Sequence, residues 1–135
     1  MLEDALASLS GDDKAEKKSV DIKLAISAYI SEEYINEDRV RLELYRRLSK
    51  ANDIQEVYAI EEEMEDRFGK LDIYTKQFIE LIIIKILALN LGIQNISSYE
   101  MNITFTKADE TKETIKSPSK DDDDIIAITL RYLRK

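Results

Sequence analysis

The stretch 73–91 most constrains the fold, because it is apolar on nearly every side of a helix. Only Lys85 and Asn90 interrupt its C-terminal half. A helix that is apolar all round lies buried at the centre of a domain. The isoleucine run 82–84 is also compatible with a strand, but the length of the stretch and the stop at Gly92 favour a helix. The longest apolar run within it, 81–91, is broken by Lys85 and Asn90 and is too short to cross a bilayer.

Two amphipathic helices are predicted before this central helix. The first has its core side at Val40, Leu44 and Leu48, and Asn36 is expected to cap its N-terminus. The second has apolar residues at steps of three, four and four. These residues are Val57, Ile60, Met64 and Phe68.

The ends of the second helix carry clear signals. Asp53 followed by Glu56 predicts a capping box at its N-terminus. Gly69 is expected to end the helix in a left-handed conformation.

Strands are predicted on both sides of the helical region. Apolar and polar residues alternate over 20–26 and again over 101–106, and residues 112–116 form a hairpin partner across the turn 108–110. The acidic run 121–124 begins a last helix, which basic residues finish, as the helix dipole favours. The sequence therefore predicts an α+β fold, with several helices around a buried central helix, packed on a small, mainly antiparallel sheet.

The chain divides into a short N-terminal segment and one domain. Apolar residues at Leu2, Ala5, Leu6 and Leu9 predict an amphipathic helix, and a charged linker follows it. Residues 1–19 are thus expected to be a leading helix and linker, and residues 20–135 a single domain. No signal peptide is expected at the acidic start of the chain, and the predicted location is the cytoplasm.

Composition narrows the possible functions. The chain has no cysteine and no histidine, which excludes thiolate chemistry and removes the usual acid/base and metal ligand. Its net charge of −8 argues against duplex DNA or an anionic membrane as the main partner. A small carboxylate hydrolase remains an alternative, but it needs two acids converging in a cleft.

Two charged groups have structural explanations. The run 121–124 could attract Mg²⁺ or Ca²⁺, but it lacks the alternating spacing of a calcium loop, so a helix-start role is favoured. Four arginines on the first helix are interleaved with acids and are expected to pair with the acidic helix or with another protein rather than with nucleic acid. They are Arg39, Arg41, Arg46 and Arg47.

The acidic arc of the second helix is harder to explain as a solvated surface. The span 53–67 carries seven acidic residues and one basic residue. The arc opposite the apolar stripe contains Glu56, Glu62, Glu63 and Asp66. Crowded like charges destabilise a helix. A protein-docking role follows as one hypothesis.

Three motifs in this order carry a family resemblance. They are AYISEEYI at 28–35, RLELYRRL at 41–48 and EEMEDRFG at 62–69, and the long apolar helix ending Leu91-Gly92-Ile93 follows. Together they resemble the C-terminal domain of bacterial transcription-repair coupling factors, over 2–96. Prolines usual in the family are replaced by Ser31, Asn36 and Asp72, and these changes are expected to loosen the loops.

The resemblance implies a regulatory region of a larger protein. The parent would recognise stalled RNA polymerase, drive it with an ATP- and Mg²⁺-dependent motor on DNA, and recruit UvrA through a UvrB-like module. No phosphate-binding loop is present here, so no cofactor and no catalytic or metal residue is expected in this region. The expected role is docking on the UvrB-like module of the same chain. The hypothetical interface residues are Glu62, Glu63, Asp66 and Arg67. The alternative is a stand-alone acidic adaptor.

Overall fold

The computed structural model describes residues 20–135, which form four helices on a four-stranded mixed sheet. The predicted α+β class is confirmed, and the predicted helix and linker at 1–19 lie outside the described residues. The elements in chain order are β1 (Asp21–Lys23), α1 (Asp38–Ser49), α2 (Ile54–Phe68), α3 (Ile73–Asn90), β2 (Ile93–Tyr99), β3 (Asn102–Lys107), β4 (Lys112–Lys116) and α4 (Asp122–Leu133).

Helix α3 is central, as its sequence predicts, because it contributes to two cores at once. It contacts α1 and α2 on one side and α4 and β2 on the other. Ile83 belongs to the first core and its neighbour Ile84 to the second. The helical core contains Ile30, Ile35, Leu44, Leu48, Val57, Ile60, Met64, Ile79, Ile82, Ile83 and Ile86. The sheet core contains Ile84, Ala88, Ile93, Ile96, Ile103, Phe105, Ile125, Ile126 and Leu133.

The ends of α1 and α2 test the predicted caps. At α2, Asp53 Oδ1 accepts the Glu56 N–H at 2.8 Å, so the predicted capping signal is confirmed. Gly69 ends this helix with φ +92° and ψ −172°. The predicted Asn36 cap of α1 is wrong, because the helix begins after Glu37, which makes no side-chain capping bond.

The sheet has the order β1-β2-β3-β4. Strand β1 pairs with β2 in parallel, and the two remaining pairings are antiparallel, so the sheet is mainly antiparallel as predicted. The predicted hairpin of β3 and β4 is confirmed, with Ile103 opposite Ile115. Strand β1 is shorter than the alternation over 20–26 suggested, although the apolar side chains of that segment still pack on the sheet core.

Strand β2 is absent from the sequence prediction for a physical reason. Its two buried isoleucines, Ile93 and Ile96, are three residues apart, because the pairing with β3 shifts register between Ile93 and Asn95. Such a bulge interrupts the period of two by which a strand is recognised. Among residues 20–135, no helix combines the length and apolar character that a bilayer crossing requires.

Candidate functional site

The three sequence motifs meet on one side of the molecule through hydrogen bonds. The Tyr45 hydroxyl of the second motif accepts the Ile30 N–H of the first at 2.7 Å. The Tyr34 hydroxyl of the first motif donates to the Gly69 carbonyl at the end of the third at 2.6 Å. The motifs thus hold the loop before α1 against both helices. Both tyrosine hydroxyls therefore bond to backbone groups of the domain instead of only to water.

A salt bridge fixes α1 against α2. Arg47 donates two hydrogen bonds to Glu63, Nη1 to Oε2 at 2.9 Å and Nη2 to Oε1 at 2.8 Å. Arg67 Nη1 lies 3.5 Å from Glu63 Oε2. The hydrogen bonds from Arg47 lower the pKa of Glu63, and the same bonds raise the pKa of Arg47. The predicted pairing of an α1 arginine with the acidic helix is therefore present.

This salt bridge changes the role expected of Glu63. The sequence placed Glu63 on the outer arc as a free docking group. Its carboxylate is instead half-buried and is already engaged by two arginines of the same domain. Arg67, the fourth hypothetical interface residue, is exposed beside it and packs its guanidinium over the Phe68 ring, 4.8 Å from the centroid.

Four acids of α2 follow a small residue along the exposed part of the helix. Ala59 forms the floor of a shallow, open depression, and the acidic side chains around it are Glu62, Glu63, Glu65 and Asp66. Positions 59, 62, 63 and 66 lie on one helical face at steps of three and four. Glu62, Glu65 and Asp66 are exposed. The depression offers carboxylates around a space that a longer residue than alanine would fill.

The chemistry available to this depression is recognition of a cation. Carboxylates accept charge-assisted hydrogen bonds from arginine, and two oxygens of one group suit a planar guanidinium. A hydrolase would need two acids converging across a cleft. The acids of α2 instead point outward from one helix. Within residues 20–135, no group of three or more acids is placed to hold a metal ion.

The acidic start of α4 has structural partners. Asp122 Oδ2 accepts the Ser27 N–H at 2.9 Å and lies 3.2 Å from Gln77 Nε2. Asp124 Oδ2 accepts the Ser119 hydroxyl at 2.7 Å. The run begins α4 as predicted, but the predicted helix cap is wrong, because the N-cap residue Asp121 makes no side-chain capping bond. The carboxylates of Asp122 and Asp124 instead join the start of the helix to Ser27 and Ser119.

The sequence missed one polar cluster at the start of α3. Asp72 Oδ1 accepts the Thr75 N–H at 2.9 Å, while its other oxygen accepts the Ser31 hydroxyl. Desolvation opposes ionisation of Asp72, but the bonds from Ser31 and Thr75 outweigh it and lower its pKa. The available signal was the aspartate three residues before a threonine at the start of a helix. Its partner, 41 residues away, had no sequence signal.

Comparisons with known proteins show what this chain is similar to. The model of the TRCF domain family matches residues 24–117. A transcription-repair-coupling factor of Helicobacter pylori is 52% identical over 134 residues, which cover 99% of this chain and 13% of the relative. A Rickettsia prowazekii factor of the same name is 30% identical over 125 residues, covering 89% of this chain and 11% of the relative. The chain thus spans about an eighth of the length of these relatives.

A solved structure supports the fold. The crystal structure of the C-terminal domain of a transcription-repair coupling factor superposes with a TM-score of 0.65 at 23% identity. The superposition covers 67% of this chain and 56% of that one. At this identity the likeness concerns the fold alone.

Proposed function

The chain belongs to the transcription-repair coupling factor family, and from this premise we propose that it is an autoinhibitory C-terminal domain. In this proposal it docks on a UvrB-like module of the same polypeptide and covers the surface that would bind UvrA. Docking also restrains the ATP-driven motor that acts on stalled RNA polymerase. The region itself catalyses nothing and needs no cofactor, because ATP and Mg²⁺ serve the motor.

The observation that carries the proposal is the acid-lined depression on α2. Glu62 and Asp66 are exposed, one helical turn apart from each other, and both follow Ala59 along the same face of α2. An arginine side chain from the facing module would pass over Ala59 and place its guanidinium between the two carboxylates. Glu63, held by Arg47, then serves to fix the helix rather than to bind the partner.

The contribution of these charges to the free energy of docking depends on whether the interface buries them. An ion pair that stays exposed contributes at most about 1 kcal/mol. Truncating a charge that the interface has desolvated costs roughly 2–5 kcal/mol. The proposed docking therefore depends on coverage of Glu62 and Asp66 by the partner.

Tethering makes even a weak contact effective. Two modules on one chain meet at an effective concentration on the order of 1 mM. A contact with a dissociation constant of about 10 μM is then closed in about 99% of molecules. A modest conformational change is then enough to separate the domain from the UvrB-like module while the motor acts on RNA polymerase. The named relatives are all coupling factors, which favours this intramolecular role over a stand-alone acidic adaptor.

The experiment uses the full-length coupling factor that carries this region. Glu62→Lys combined with Asp66→Lys is expected to raise UvrA binding and ATP turnover measured without polymerase. The matched control is Glu100→Lys with Glu110→Lys, which makes the same charge change at two exposed turn residues. The control is expected to leave both quantities unchanged.

One further variant separates docking from folding. Ala59→Arg fills the depression with a cation that repels the arginine of the facing module. Because position 59 is exposed, the substitution is expected to prevent docking without a change in thermal stability. Wild-type values of UvrA binding and ATP turnover in both the double variant and Ala59→Arg would contradict the proposal.

A further inference from the structure

Strand β4 forms an edge of the sheet. In the part of the chain that the structure describes, it pairs with β3 alone. An edge strand presents unpaired N–H and C=O groups to which another strand can add. Alternate side chains of β4 point to opposite faces: Ile115 packs on the sheet core, while Lys112 and Lys116 are exposed at the two ends of the strand.

An apolar groove lies beside this edge, on the α4 side of the sheet. Its floor consists of Ile115, Ile128 and the ring of Tyr132. Three basic residues rim it, and they are Arg131, Arg134 and Lys135. The groove is therefore a local basic site on a chain of net charge −8.

The groove is preformed by contacts of Tyr132. Its ring stacks on Phe105, with centroids 4.0 Å apart and planes at 19°. Its hydroxyl donates to the Glu113 carboxylate of β4. Lys135 Nζ lies 4.3 Å from the ring centroid. Glu113 keeps its negative charge in this bond, but it is one carboxylate beside three basic side chains, so the rim is net positive.

We propose that β4 and this groove bind an extended acidic peptide segment, which adds to the sheet as a fifth strand. One large apolar side chain of the peptide enters the groove between Ile115 and Ile128. Acidic residues on either side of it meet the rim arginines, and those on the opposite face meet Lys112 and Lys116. Main-chain bonds supply affinity in strand addition, and the side-chain pockets supply specificity.

Charge selects this occupant over a second copy of the chain. If two β4 strands paired antiparallel about a twofold axis, Lys112 of one copy would face Lys116 of the other, and like charges directly opposite are destabilising. An acidic strand reverses the sign of both contacts. This surface lies beyond α4, whereas the acidic depression lies on α2, and α3 separates the two helices. The inference is independent of the proposed autoinhibition.

The test uses the full 135-residue chain and a fluorescein-labelled peptide of about nine residues, near the upper range of strand lengths. The peptide has a central isoleucine, with glutamate at the first and second positions on each side of it and threonine at the remaining positions, so that glutamates point to both faces of the added strand. Saturable binding by fluorescence anisotropy is expected, with slowed hydrogen exchange at alternate β4 amides. Replacing every glutamate of the peptide by lysine is expected to abolish binding.

Matched variants of the protein locate the site. Arg131→Glu with Arg134→Glu is expected to weaken binding about ten-fold or more at low salt. Arg39→Glu with Arg46→Glu makes the same charge change on exposed residues of α1 and is expected to have no effect. Glu62→Lys with Asp66→Lys is also expected to leave peptide binding unchanged, which separates this surface from the α2 site.

Four outcomes would overturn the inference. The first is the absence of saturable binding up to about 1 mM peptide, a range that includes weak contacts, and the second is equal binding of the lysine peptide. The third is binding without protection of the β4 amides, and the fourth is an equal loss of binding in the two arginine-to-glutamate double variants. Concentration-dependent dimerisation through β4 would assign the edge to a second copy instead and would likewise overturn it.

Discussion

The Ser31 hydroxyl donates a hydrogen bond to the Asp72 carboxylate and so closes the loop before α1 onto the first turn of α3. The Ser31 N–H also reaches the Thr75 hydroxyl oxygen at 3.3 Å. Ser31 and Thr75 are both buried. Ser31 and Asp72 are two of the three positions at which the resemblance implies prolines in other members of the family. The looser loops expected from these replacements stay a prediction, and the structure adds that two of the replaced positions bond to each other.

Asp72→Ala is expected to lower the free energy of unfolding by about 2 kcal/mol. The substitution removes the N-cap of α3, worth about 1 kcal/mol, and leaves the buried Ser31 hydroxyl without its acceptor, at a similar cost. Urea denaturation at pH 7 measures the change. Asp53→Ala is the control, because it removes an exposed N-cap with no long-range partner and is expected to cost only about 1 kcal/mol. Equal losses in both variants would contradict a role for the Ser31 bond.

Asp72 also predicts a pH dependence. Its pKa is lowered in the folded state, so the unfolded state binds more protons at acidic pH. The stabilisation that ionised Asp72 provides is fully present above its pKa in the unfolded chain, about 3.9. It is lost as the pH falls through the lower pKa that Asp72 has in the folded protein. Asp72→Asn is therefore expected to reduce the loss of stability below about pH 4. Urea midpoints from pH 7 to pH 3 check this, and a slope unchanged by the substitution would rule it out.

The Arg47–Glu63 salt bridge is expected to contribute a coupling energy of about 1 kcal/mol. Both side chains are over a third exposed, at 38% and 39%, so solvent screens the pair. A double-mutant cycle of Arg47→Met and Glu63→Gln measures the coupling directly. Arg46→Met paired with Glu63→Gln is the control cycle, since Arg46 is exposed on the same helix. A coupling equal to that of the control would show that the bidentate geometry contributes nothing.

Periodicity predicted the helices well because their burial follows it closely. Val57, Ile60 and Met64 are the buried residues of α2, as their spacing requires. The apolar character of α3 on all sides matched a helix that contacts two cores. Strand β2 escaped prediction because its bulge breaks the alternation between Ile93 and Ile96.

The candidate site was only partly predictable. The acidic arc follows from helix geometry, which places Glu62 and Asp66 outward. Capture of Glu63 by Arg47 depends on how α1 packs against α2, and residues 16 positions apart carry no local signal for this contact. The bonds of Tyr34 to Gly69 and of Tyr45 to Ile30 are likewise products of tertiary packing.

Tyr34→Phe is expected to cost about 1 kcal/mol of stability, because the Gly69 carbonyl loses its donor. Burial, followed by the charge of Glu65, raises the pKa of Tyr34 to about 12 from an ordinary value of 10.0. The protonated hydroxyl therefore stabilises the fold below pH 10, and this contribution is lost as pH rises toward 12. Urea denaturation at pH 7 and pH 11 measures both effects. Tyr58→Phe, at an exposed tyrosine, is expected to change neither.

The backbone at Gly69 gives a stereochemical test. Its φ of +92° and ψ of −172° lie in a region nearly restricted to glycine, yet an added Cβ would meet no atom within 4 Å. Gly69→Ala is therefore expected to cost about 1–3 kcal/mol through backbone strain alone.

The mirror-image residue separates strain from lost contacts. D-alanine at position 69, introduced by chemical ligation, adopts these dihedral angles as readily as L-alanine adopts an extended conformation. It is expected to match wild-type stability or to exceed it by about 0.4–1 kcal/mol, because it restricts the unfolded chain. Thermal and urea denaturation of the two alanine epimers measure the difference. Equal destabilisation by both epimers would show that the helix end needs the small size of glycine rather than its positive φ.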